Sequence, residues 1–75
     1  MEEMFITIED EFITLGQLLK TADIISSGGM AKWYLSEYVV YLNEEEEQRR
    51  GKKLYPGDRI TFPQENLHIT IQTND

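Results

Sequence analysis

Residues 14–38 read TLGQLLKTADIISSGGMAKWYLSEY, and this stretch decides the fold. Leu15, Leu18, Leu19 and Ala22 recur at i, i+3, i+4 and i+7, the spacing of one stripe on an amphipathic helix. Ala31, Tyr34, Leu35 and Tyr38 repeat that spacing sixteen residues later. Thr14 with Gln17 has the form of a capping box at the start of the first helix. Gly16 weakens that helix by about 1 kcal/mol relative to alanine, so packing has to hold it. Ser26-Ser27-Gly28-Gly29 separates the stripes as a turn, with Ser27 placed to cap the second helix. Helices this short barely form alone in water. They need each other and a sheet.

The flanks supply the sheet. Residues 4–8 (Met-Phe-Ile-Thr-Ile) are rich in β-formers and read as a first strand. Val39-Val40-Tyr41-Leu42-Asn43 has strand composition, and Lys53-Leu54-Tyr55 runs into the turn signal Pro56-Gly57-Asp58. Arg59-Ile60-Thr61-Phe62 alternates polar and apolar, and residues 67–72 do so more clearly, with Leu67, Ile69 and Ile71 on one face. This order predicts an α+β fold, an αα-hairpin packed on one face of a small, mainly antiparallel sheet. Seventy-five residues leave room for a single domain, 1–75, with a thin core.

Composition removes several classes of function. The chain has no cysteine, which excludes a disulfide framework, a thiolate metal site and a cysteine nucleophile and fits a reducing cytoplasm. No apolar run approaches the ~20 residues of a membrane span. The acidic start Met1-Glu2-Glu3-Met4 is unlike a signal peptide, so a cytoplasmic location is expected. His68 falls on the polar side of the last strand, with no Ser or Cys nucleophile beside it. Asp10, Asp23 and Asp58 read as turn or cap residues, and the run Glu44–Glu47 lacks the spaced ligands and glycine of a calcium loop. The expectation is a protein that is not an enzyme and uses no metal, cofactor or small-molecule substrate.

A net charge of −7 argues, on its own, against nucleic acid, because binding to phosphate is driven by Lys and Arg that displace counterions. The cations are unevenly placed, however. Only Lys20 and Lys32 precede residue 49, whereas Arg49, Arg50, Lys52, Lys53 and Arg59 follow within eleven positions. Local field outweighs the global sum at a binding surface. On a helical wheel Lys32, Trp33 and Ser36 lie opposite the apolar stripe of the second helix, and Gln17 and Lys20 lie opposite the leucines of the first. An exposed Trp beside a Lys can stack on a nucleobase while the ammonium meets a phosphate. Gly28 and Gly29, at the start of the second helix, allow close backbone approach, and free N–H groups there favour an anion.

Leu15 with Leu18-Leu19, Ser27, Ala31-Lys32, Leu35, Val40-Tyr41-Leu42-Asn43 and Pro56-Gly57-Asp58 together resemble the S4 RNA-binding domain, the αL module named after a small-subunit ribosomal protein. The resemblance runs over residues 14–62. More narrowly, Ser-Gly-Gly-Met-Ala-Lys-Trp (27–33) and residues 49–58 resemble the stand-alone YaaA-like bacterial members. It implies a non-catalytic module that binds structured RNA, often ribosomal or transfer RNA, through the αα-hairpin and the adjoining strand loop. Carried over by position, it implicates Ser27, Lys32 and Trp33, with Arg49, Arg50, Lys52 and Lys53 in the loop. Many members have Arg where this chain has Gly28, and Arg or Lys where it has Trp33. They commonly have a basic residue near Thr14 and Gly where it has Glu44.

From this follow an expected site and an alternative. Arg49, Arg50, Lys52 and Lys53 form one phosphate-contacting lobe, and Glu44–Glu47 form an opposing lobe that repels RNA backbone and limits how it docks. Gln17, Lys20, Ser27, Gly28, Gly29, Lys32 and Trp33 complete the RNA-binding surface. The expected partner is ribosomal RNA or an assembling ribosomal particle. The alternative is a protein-interaction module that docks on a ribosomal or other protein through its acidic surface. If the last strand lies at a sheet edge, it also offers a dimer surface.

Overall fold

The computed structural model describes residues 1–74. Strand β1 (Glu2–Ile8) leads to β2 (Ile13–Thr14), helix α1 (Leu15–Thr21), a 3-10 turn at Gly28–Met30 and helix α2 (Ala31–Glu37). Strands β3 (Tyr41–Leu42), β4 (Glu45–Glu46), β5 (Lys53–Leu54) and β6 (Arg59–Phe62) follow, then a second 3-10 turn at Pro63–Glu65 and β7 (Leu67–Thr73). The main sheet has the order β1-β7-β6-β3-β4, and β2 and β5 form a separate antiparallel pair. Every neighbour in the main sheet is antiparallel except β1 and β7, which run parallel from Glu2 opposite Leu67 to Ile8 opposite Thr73. The α+β architecture is the one the sequence predicts. Strand β7 is interior, so the edges are β1 and β4.

Helix α1 forms for the reasons its sequence gives. Thr14 Oγ1 accepts from the Gln17 amide at 3.2 Å, and Gln17 Oε1 accepts from the Thr14 amide at 2.9 Å. Leu15, Leu18 and Leu19 are buried, and fully burying a leucine contributes on the order of 1.5–3 kcal/mol, which offsets the poor intrinsic helicity of a seven-residue segment. The helix ends where Asp23 turns left-handed at φ 61°. The Asp23 amide then donates to the Lys20 carbonyl and the Ile24 amide to that of Leu19, closing the orphan carbonyls.

Helix α2 buries Ala31, Tyr34 and Leu35 against α1 and the sheet face formed by Ile60, Phe62, Leu67, Ile69 and Ile71. Two expectations fail here. Tyr38 is not an inward residue: the helix stops at Glu37, Tyr38 is extended at φ −126°, and the 3.6-residue period no longer directs its side chain. It is 42% exposed and leans on Tyr34 and Trp33. Ser27 sits at the start of the 3-10 turn but makes no capping bond with its side chain. Ser26 is the tethered serine, its hydroxyl donating to Met30 Sδ at 3.2 Å.

Between β3 and β4, Asn43 and Glu44 both have positive φ, 50° and 73°, as a two-residue hairpin of type I′ requires. Asn43 anchors this turn to the next one. Its Nδ2 donates to Asp58 Oδ1 at 3.1 Å, and its Oδ1 accepts from the Arg59 amide at 3.0 Å. Asp58 also accepts from the Tyr55 amide at 2.8 Å, holding the Pro56-Gly57 turn, where Gly57 has φ 97°. Among the described residues no helix is long and apolar enough to cross a membrane.

Candidate nucleic-acid interface

The connection from β4 to β5 carries Arg49, Arg50 and Lys52, and its backbone is strapped to the start of α1. The Gly16 amide donates to the Arg50 carbonyl at 2.8 Å and the Leu15 amide to the Lys52 carbonyl at 2.9 Å. The first amides of a helix have no partner inside it. Here the loop carbonyls and the Thr14–Gln17 box supply partners, so helix formation and loop placement are one event. Glycine at position 16 is what lets the parts approach. A Cβ there would stand 3.3 Å from the Arg50 carbonyl oxygen and 3.5 Å from Ala31 Cβ.

This seam floors a groove of about 320 Å³. Gln17 and Lys20 of α1, Gly28 before α2 and Arg50 of the loop all line it, and all four are exposed. Ala31 also lines the groove, and Lys32 and Trp33 follow it on the exposed side of α2. Trp33 keeps 51% of its surface exposed, as its position opposite the apolar stripe predicts, and Tyr38 meets its ring edge-on at 6.2 Å. Gly28 and Gly29 have nothing within 4 Å of where a Cβ would stand, and neither has positive φ. The fold does not require glycine at either position.

The rest of the basic run is dispersed, which corrects the expected single lobe. Arg49 is held by Glu47: Nε to Oε2 at 2.9 Å, Nη2 to Oε1 at 3.1 Å, and the Arg49 amide to Oε2 at 3.0 Å. Those bonds hold the Glu47 carboxyl at about 2, well below its ordinary 4.5, and keep the Arg49 guanidinium above its usual value. Arg49 and Lys52 line another groove with Glu45, Glu46 and Glu47. Lys53 Nζ stands 4.8 Å from the ring centroid of Phe12, beside Tyr55. The cause is backbone geometry. The Lys52 amide donates to the Arg49 carbonyl, turning the chain there, and the extended β5 then sends successive side chains to opposite sides.

In the acidic run Glu44 makes the hairpin turn, Glu45 and Glu46 form β4, and Glu47 lies on Arg49 itself. Pairing of the basic run with its neighbouring glutamates is open from the sequence, and the structure shows it for Glu47 and Arg49. Sequence reasoning missed Phe12 beneath Lys53, because a two-residue strand shows no periodicity.

The S4 domain family model matches residues 6–70. The chain belongs to the S4 domain family. A protein of Bacillus subtilis (strain 168) named "Probable ribosome maturation protein RlbA" is 64% identical over 55 residues, which cover 73% of this chain and 78% of that protein. No solved structure matches the chain. The S4 match spans both helices, the strapped loop and the sheet through Thr70, so the groove described above lies wholly inside the S4 domain.

Proposed function

We propose that this S4 domain is a non-catalytic, single-domain RNA-binding module whose RNA is ribosomal or belongs to a maturing ribosomal particle. The observation that carries this reading is the convergence of Lys20, Gly28 and Arg50, from three separate segments, on one groove whose geometry is fixed by the Gly16–Arg50 hydrogen bond. Phosphates lie against Lys20, Lys32 and Arg50, and Trp33 offers a face to an unstacked base. Ser27, Gly28 and Gly29 let the strand approach the backbone. Arg49, Lys52 and Lys53, each engaged or turned away, contribute field more than contact. Membership of the S4 family and the relative's name support the choice of a ribosomal target.

The test is an equilibrium titration with ribosomal RNA, followed by Trp33 emission over a series of salt concentrations. Binding whose log K falls with log salt at a slope of about −2 to −3, with quenching of the indole, is expected from three phosphate contacts. An unquenched indole and a flat salt response would remove the reading. A second reading rests on β4, an edge strand made of Glu45 and Glu46, both exposed and flanked by the Glu44 turn. Such an edge suits a basic segment of a ribosomal protein. Retention of RNA-free ribosomal proteins, with no RNA bound, would favour it.

A further inference from the structure

A further groove, of about 700 Å³, lies between α1 and the end of β1. Gln17 and Lys20 line it as well as the smaller groove, so one polar ridge divides the two. Its other walls differ in kind. Ile8 and Phe12 are apolar. Glu9 and Asp10, both exposed, supply carboxylates.

This combination rejects a phosphate and accepts a base. Carboxylates repel the backbone of a nucleic acid, yet they accept hydrogen bonds from the neutral edge of a nucleobase. Among the common bases only guanine presents two adjacent donors, N1–H and an N2 amino hydrogen, which match the two oxygens of one carboxylate. An aromatic wall suits the flat face of the base. The Lys20 ammonium, on the shared ridge, meets the adjoining phosphate while the base drops away from the smaller groove. We propose that this groove receives an unpaired guanine of a bound RNA strand, held between Phe12 and the carboxylates of Glu9 and Asp10. The proposal rests on the RNA-binding reading above and adds to it a preferred base and a place for it.

The experiment uses the whole chain, labelled with ¹⁵N, and two short RNA duplexes that differ only in a bulge of sequence UUGUU or UUUUU. The guanine-containing duplex is expected to bind about tenfold tighter, the discrimination of a good bidentate pair. It should move the amides of residues 8–12 and Thr21, besides those near Gly28 and Arg50 that both duplexes move. Inosine in place of the guanine, which removes the amino group, should erase the advantage. So should the exposed pair of changes Glu9→Gln and Asp10→Asn, with the UUUUU duplex binding no more weakly than before and amide dispersion showing the fold intact. Equal affinity for both bulges, with shifts confined to the smaller groove, overturns the guanine site and leaves RNA binding standing. Binding of neither duplex overturns both. Shifts at residues 8–12 from an arginine-rich peptide, and none there from the guanine bulge, assign the groove to a basic protein segment and overturn the proposal.

Discussion

The Gly16 amide donates to the Arg50 carbonyl at 2.8 Å, and a Cβ on Gly16 would stand 3.3 Å from that same oxygen. One residue thus joins two roles, starting a helix and seating the cation that faces the hairpin. The glycine that looks like a local defect in the helix pattern is the point where three segments touch.

Substitution at Gly16 separates helix propensity from close approach. Alanine gains up to about 1 kcal/mol of propensity but presses on the Arg50 carbonyl, so Gly16→Ala should lie within about 0.5 kcal/mol of the parent. Gly16→Val adds bulk without that gain and should destabilise by about 1–3 kcal/mol. Urea unfolding of the two variants gives the comparison. A valine variant as stable as the parent would mean that the seam yields freely.

Arg49 and Arg50 are neighbours in sequence with different surroundings. Arg50→Ala should reduce the magnitude of the salt slope of RNA binding by about 0.7–0.9, the loss of one phosphate contact. Arg49→Ala should leave it unchanged, because Glu47 already occupies that guanidinium. Glu47→Gln should release Arg49 and steepen the slope. Identical slopes for both arginine variants would show that the clamp does not matter.

At Gly28 the chain lacks a cation that many S4 domains carry, and the backbone there tolerates a side chain. Gly28→Arg should therefore fold normally and add one phosphate contact to the groove, steepening the salt slope by about 0.7–0.9. Loss of affinity instead would show that RNA backbone, not open solvent, fills the space beside Gly28.

Among the described residues four non-glycine positions hold left-handed conformations, Glu44 at φ 73° and Asp23 at φ 61° among them. Such a conformation costs a side chain roughly 1–2 kcal/mol, and the extra freedom glycine has in the unfolded chain offsets about half of the relief. Glu44→Gly should then stabilise by about 0.5–1 kcal/mol. Asp23→Gly should stabilise by less, because aspartate tolerates this region better. Thermal melts of the single variants would expose an error in sign.

The Glu47 carboxyl gives a pH signature. Its folded value is depressed, so the stability it contributes is fully present above its ordinary 4.5 and is lost as pH falls toward about 2. The parent should be more stable than Glu47→Gln at neutral pH, and the gap should close across that window. Denaturant unfolding at pH 7 and pH 3 measures it. A gap that stays constant with pH would mean that Glu47 acts through something other than its charge.

Local sequence determined the faces of the elements. The leucine spacing of residues 15–19, the 31/34/35 stripe, the alternation of residues 59–62 and 67–71 and the Pro56-Gly57-Asp58 turn are short-range patterns, and burial follows them because side-chain direction repeats with a period the backbone sets. The exposure of Trp33 was legible for the same reason. Tertiary structure decided what distant segments do to one another. The parallel pairing of β1 with β7 joins residues sixty-five positions apart, and nothing in either strand names the other. The basic run looked like one surface because sequence adjacency hides direction. The strap to α1, the turn closed by the Lys52 amide on the Arg49 carbonyl and the extended β5 split it, with Arg50 at the hairpin, Arg49 on Glu47 and Lys53 over Phe12.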